Sequence, residues 1–119
     1  VIDVKPEVYQ TLVSDDQLTS LLGGKHVYQI TAPDATVFPR ITFFEVNNLD
    51  ANYANDGPTS ARVSLQVDVW SKTNYSAIVQ RVNEVMESLG FIRYYSTDLY
   101  EPDTSVYHKA LRYQISKEV

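Results

Sequence analysis

Residues 57–89 switch from a two-residue period to a helical one, and this limits the folds open to the chain more than any other feature. In Ala61-Arg62-Val63-Ser64-Leu65-Gln66-Val67-Asp68-Val69 every odd position is apolar and every even one polar, the alternation of a strand with one buried face. Beyond Trp70-Ser71-Lys72-Thr73-Asn74, apolar residues fall at Ile78, Val79, Val82, Val85, Met86 and Leu89, which is helical spacing. Thr73 or Asn74 supplies a cap, and Gly90 stands in the C′ position. A half-buried strand thus feeds a helix that lies across a sheet. No nucleophile, metal-ligand cluster or phosphate loop flanks the stretch, so it reads as scaffold.

The rest of the chain extends that layer. Pro6, placed where a missing N–H costs nothing, opens a helix through Val8, Tyr9, Leu12 and Val13. Ser14-Asp15-Asp16-Gln17 has capping-box spacing, with Ser14 as N-cap and Gln17 at N3, and Gly23-Gly24 is a stop signal after Leu18, Leu21 and Leu22. Two short helices, or one kinked at Ser14, satisfy this pattern. His26–Ile30 reads as a short strand and Arg40–Val46 as the next, with Pro33 and Pro39 bracketing a loop between them. Asn47–Ser60 is rich in Asn, Asp, Gly and Pro and reads as a long loop, functional or mobile, before Ala61–Val69 returns antiparallel. Phe91–Tyr95 resumes extended structure, Glu101–Ser105 turns, and Tyr107–Ile115 alternates as a second half-buried strand. The expectation is one α+β domain over residues 1–119, in the order α-β-β-β-α-β-β. Its antiparallel sheet has four to five strands, with two main helical segments packed on one face.

Composition closes off several functions. The 119 residues are 44% apolar and 21% charged, as expected of a soluble globular domain, and no apolar run approaches the roughly 18–20 residues of a membrane span. No basic-then-apolar leader opens the sequence. The absence of cysteine removes disulfides, cysteine nucleophiles and thiolate metal sites, and permits a cytosolic setting. The net charge of −5 resides in residues 1–60, where eight carboxylates face three Lys/Arg; seven of each balance in residues 61–119. Without a basic patch, specific binding to nucleic acid is not expected.

A search for catalytic chemistry ends without candidates. Ser105, His108 and Asp103 make a triad only on paper, because a strand does not aim same-face neighbours at one another. His108 reads instead as a solvated strand histidine. Asp50 to Asp56 resembles a calcium loop superficially, but Asn55 stands where the EF-hand needs Gly and Ala61 where it needs Glu. Gly23-Gly24-Lys25 lacks the surrounding phosphate-loop pattern, and Asp15-Asp16 is explained by the helix dipole. No catalytic residue, metal ligand or cofactor site is therefore expected. What stands out is aromatic: nine tyrosines, with Tyr94, Tyr95, Tyr100, Tyr107 and Tyr113 in the last two strands. Trp70 falls on the polar parity of its strand, so either an outer-face interface or a bulge turning it inward accounts for it.

The order and spacing of Val8-Tyr9, Leu21-Leu22-Gly23-Gly24, Val27-Tyr28, Phe38-Pro39-Arg40-Ile41 and Gly57-Pro58 resemble the tail completion proteins of long-tailed phages and prophages. Val67-Asp68-Val69-Trp70-Ser71, Met86-Glu87-Ser88-Leu89-Gly90 and Tyr100-Glu101-Pro102-Asp103-Thr104 continue the likeness, which covers about residues 5–117. The resemblance implies a non-enzymatic virion protein that caps the tail tube and forms the head–tail joining ring. The implied partners are a tail tube protein, a head-completion protein and further copies of itself, usually six. The subunit is expected to be a monomer until it meets the tube, assembled in the bacterial cytoplasm, with DNA passing the lumen and no membrane involved. For the contact surfaces the candidates are the polar stretch with Asn48, Asp50, Asn52, Tyr53, Asn55 and Asp56, and an outer sheet face with Trp70, Tyr95 and Tyr107. Asp50 and Asp56 are candidates for an acidic lumen past which DNA slides. Another head–tail connector or head-completion protein, or an unrelated small binding module, remains an alternative; an enzyme ranks last.

Overall fold

The computed structural model describes residues 2–54 and 57–118. Asn55 and Asp56, and the side chain of Asn52, lie outside the described residues, so those three candidates have no position here. The elements run α1 (Lys5–Ser14), α2 (Asp16–Leu22), β1 (Val27–Gln29), β2 (Arg40–Ala54), β3 (Gly57–Ser71), α3 (Ser76–Ser88), β4 (Ile92–Glu101) and β5 (Val106–Glu118). Among the described residues the five strands form one sheet in the order β1-β2-β3-β5-β4.

The α+β class holds, but three parts of the expected architecture do not. The sheet is mixed rather than antiparallel, because β1 runs parallel to β2 in the register Val27↔Ile41 to Gln29↔Phe43. Residues 30–39 carry the chain back along the sheet, so β2 restarts beside the beginning of β1 rather than turning tightly against its end. Three helices stand where two main segments were expected, which makes the chain order α-α-β-β-β-α-β-β. Finally, Asn47–Ser60 is not a long loop: β2 and β3 pair continuously out to Ala54↔Gly57, forming an arm. A bulge between Glu45 and Asn47 shifts the register there. It reverses which face successive β2 residues occupy.

The break between α1 and α2 falls at Asp15, whose backbone is extended (φ −79°, ψ 108°). The expected cap, Ser14, instead ends α1. Asp15 takes the role because its carboxylate does two things at once. Oδ2 accepts from the Leu18 N–H at 2.9 Å, and both oxygens receive the guanidinium of Arg81 on α3, at 2.8 and 2.6 Å. A serine hydroxyl cannot offer that bidentate face. α3 is entered through Asn74, whose Oδ1 accepts from Ser76 N–H at 2.9 Å. It ends in a Schellman arrangement, with Gly90 N–H bonded to Glu87 O at 2.9 Å and Phe91 N–H to Met86 O at 3.1 Å.

All three helices lie on one face of the sheet. The core there joins Val8, Leu12, Leu18 and Leu22 with Val82, Val85 and Met86, over Ile41, Phe43, Val63, Leu65, Val67, Leu111 and Tyr113. Tyr113 is fully buried, and its hydroxyl is satisfied by Asn83 Oδ1 at 3.0 Å. Burial holds its phenol well above the ordinary tyrosine range. The other sheet face carries no helix, and it positions the residues considered next.

Candidate interface

Strand parity places Gln66, Asp68 and Trp70 on the helix-free face. Pairing sets Thr42 beside Asp68 from β2, and His108, Ala110 and Arg112 beside Trp70, Asp68 and Gln66 from β5. The result is a connected polar network across three strands. Trp70 and His108 stack with ring centroids 3.8 Å apart and 13° between planes. The indole Nε1 donates to Thr42 Oγ1 at 2.9 Å. His108 Nε2 donates to Asp68 Oδ1 at 2.7 Å, and Gln66 Nε2 donates to the same oxygen at 2.9 Å. Arg112 Nε donates to Gln66 Oε1 at 3.0 Å while its guanidinium lies 5.1 Å from the Tyr95 ring. Asp68 is buried although its face has no helix, because these neighbours cover it.

His108 is therefore not a solvated strand histidine: its ring lies between Trp70 and the Asp68 carboxylate, with its side chain only 12% exposed. The carboxylate it meets is Asp68 on the adjacent strand, not Asp103. No bulge turns Trp70 inward. The residue sits on the outer face, half-buried, and holds the face together through its stack and its hydrogen bond.

One end of this face opens into a cleft of about 480 Å³ bounded by Phe38, Arg40, Trp70, Lys72, Glu101 and Val106. Arg40 is buried between the Phe38 and Trp70 rings, 4.5 and 5.2 Å from their centroids, and Nη1 donates to Ala35 O at 2.9 Å and Val37 O at 3.3 Å. Desolvation lowers its pKa from the usual arginine value. The guanidinium clamps the segment before β2 against the sheet.

The sequence candidates divide between the two faces. Trp70, Tyr95 and Tyr53 share the helix-free face, with Tyr53 at 70% exposure far out on the arm. Asn48 and Asp50 lie on the helix side, because the bulge in β2 flips the parity that precedes it. The Asn48 amide donates to Ile2 O at 2.7 Å and Glu45 Oε1 at 2.9 Å, which ties the N-terminal segment to the arm. Asp50 is exposed. Tyr107, expected on the outer face with Trp70, is one residue off the parity of His108 and so lies on the helix side, half-exposed, with its ring centroid 4.8 Å from that of Tyr100. The candidates thus form no single cluster.

The candidate list left out several exposed apolar side chains. Leu49 on the arm and Ile92, Tyr94, Leu99 and Tyr100 on β4 all stand in solvent. Of β4 only Thr97 is even partly covered. A signal existed in the absence of a buried parity from Ile92 to Glu101, but the bulge between Arg93 and Tyr95 blurred it.

Comparison with known proteins gives these surfaces a context. No curated protein matches the sequence. A chain from a structure titled "Virion of native gene transfer agent (GTA) particle" has a similar fold, with a TM-score of 0.72 at 16% identity over 94% of this chain and 92% of that one. Residues 6–117 match the family described as Tail completion protein gp17. That span takes in all but the first helical and the last strand residue just described, and the chain belongs to this tail completion family, as a structural protein of the phage tail.

Proposed function

We propose that the protein caps the end of the tail tube as a ring and joins it to the head, working through surfaces rather than through a reaction. The observation that carries this reading is the family match over residues 6–117. The exposed apolar side chains of the arm and of β4 support it, since a subunit that remained alone would gain nothing from leaving Leu49, Tyr53, Ile92 and Leu99 in water. In this reading the partners are the tail tube protein, a head-completion protein and other copies of the chain, six in the ring. The free subunit is a monomer, assembly takes place in the host cytoplasm, and DNA passes through the lumen without specific contacts.

The test is the mass of the protein by light scattering, alone and with purified tail tubes. A monomer that becomes a tube-end ring when tubes are added supports the reading. A stable ring that ignores tubes assigns it to another joint of the virion, and a monomer indifferent to tubes overturns both.

A further inference from the structure

We propose that neighbouring copies join edge to edge, β4 of one copy pairing antiparallel with the arm segment of β2 in the next. This rests on the ring reading above and names the surfaces that would build it.

The sheet ends in two open edges. Among the described residues, β4 on one side pairs only with β5, leaving Ile92–Glu101 free along its outer side. On the other, β1 covers β2 only at Ile41–Phe43, so among the described residues positions 45–54 of the arm have β3 as their single strand neighbour. Such edges are templates for further pairing, and proteins blunt them with Lys, Pro or short strands. Neither edge carries Lys or Pro, since residues 45–54 and 92–101 contain none, and each is interrupted by a single bulge near its start while the rest of the strand stays regular. Both edges also expose apolar side chains, Val46, Leu49 and Tyr53 on the arm and Ile92, Tyr94, Tyr95, Leu99 and Tyr100 on β4.

The two edges suit each other in sense and in position. β2 is antiparallel to β3, β3 to β5, and β5 to β4, so β2 and β4 run in opposite directions. A copy related by rotation therefore offers its β2 antiparallel to β4, with the helices of both copies on the same side. The contact uses two different surfaces and closes by rotation, and a closed ring consumes every edge it creates. The pairing is also staggered. Ile92 is level with Asn47, through Gln114 and Ser64, so β4 lies beside one half of the sheet and the free arm extends from the other. Closed sheets need such an offset, because their strands must tilt to close. Arg93 and Asp50 are both exposed on the helix side, and neither forms an ion pair among the described residues. An antiparallel junction allows them to meet.

The chain contains no cysteine, so engineered pairs can be read without background. The full-length variants Thr97→Cys and Leu99→Cys on β4 are each combined with Asn47→Cys, Leu49→Cys or Ala51→Cys on the arm, assembled on purified tail tubes and oxidised. The expected result is a ladder of covalent oligomers for at least one pair, and none when Thr97→Cys is combined with Gln10→Cys on α1. Amide exchange in residues 92–101 and 45–54 of the unmodified protein should slow at least tenfold on assembly. A ring without either result overturns the edge pairing while the ring reading stands. Cross-links to the tube protein instead of a second copy also overturn it. No ring at all removes both.

Discussion

At the scale of single residues, the most connected side chain is Asp15, which caps α2 and holds Arg81 of α3. The Arg81 hydrogen bonds keep its carboxyl below the ordinary aspartate range, with the Leu18 N–H adding to the effect. A depressed carboxylate stabilises the fold above its unfolded pKa, and that stability is lost as the pH falls through the folded value. Asp34, hydrogen-bonded by Thr36, and Asp98, hydrogen-bonded by Tyr75 and paired with Lys109, shift in the same direction. Stability should therefore fall on acidification below the normal carboxylate range. Asp15→Ala should cost about 1 kcal/mol at neutral pH, the usual worth of an N-cap. Urea denaturation should show that cost shrinking at pH 3. On the opposite face, His108→Ala leaves the buried Asp68 carboxylate with Gln66 alone, and should destabilise by about 2 kcal/mol, in keeping with hydrogen bonds to charged groups. His108→Gln, which retains a donor, should recover much of that in the same measurement. Neither partnership was legible in advance. Asp15 and Arg81 lie 66 residues apart, Asp68 and His108 lie 40 apart, and local capping rules fit Ser14 equally well.

At the scale of elements, β3 from Ala61 onward, α3 and β5 were legible because their apolar residues recur with a clean period in the sequence. The arm was not. Its Asn, Asp, Gly and Pro residues have turn chemistry, yet the described ones pair along one side in the ladder between β2 and β3. Strand propensity depends on a residue's neighbours, and here pairing outweighs composition. The sense of β1 was equally hidden, since it follows from the path of residues 30–39 and not from the strand's own sequence. Gly90 shows the opposite case, a signal read correctly. Its φ of +95° is open to glycine, and an added Cβ would stand 3.4 Å from Ile115 Cδ1. Gly90→Ala should lower stability by about 1–2 kcal/mol, the cost of a left-handed backbone for an L-residue. Thermal unfolding should show that loss, with the helical signal otherwise unchanged.

At the scale of the whole molecule, extents of 53 × 29 × 24 Å describe a body with an arm, not a sphere. Leu49 and Tyr53 stand on the arm away from the core, so their loss should leave folding almost intact. Leu49→Ser with Tyr53→Ser should change the unfolding free energy measured in urea by less than about 0.5 kcal/mol, the usual range for surface changes. The same pair of changes should abolish ring formation on tail tubes, as read by light scattering.

The strand order has a further consequence, in time rather than in space. β5 lies between β3 and β4 in the sheet but follows both in the chain. While a ribosome is still making residues 106–118, β3 has one flank open, β4 has no partner, and α3 lacks Leu111 and Tyr113 beneath it. Completing the layer therefore requires β5 to enter between two strands that were made before it. Mutations that slow this insertion would lengthen the life of an open, sticky intermediate without changing the finished subunit at all.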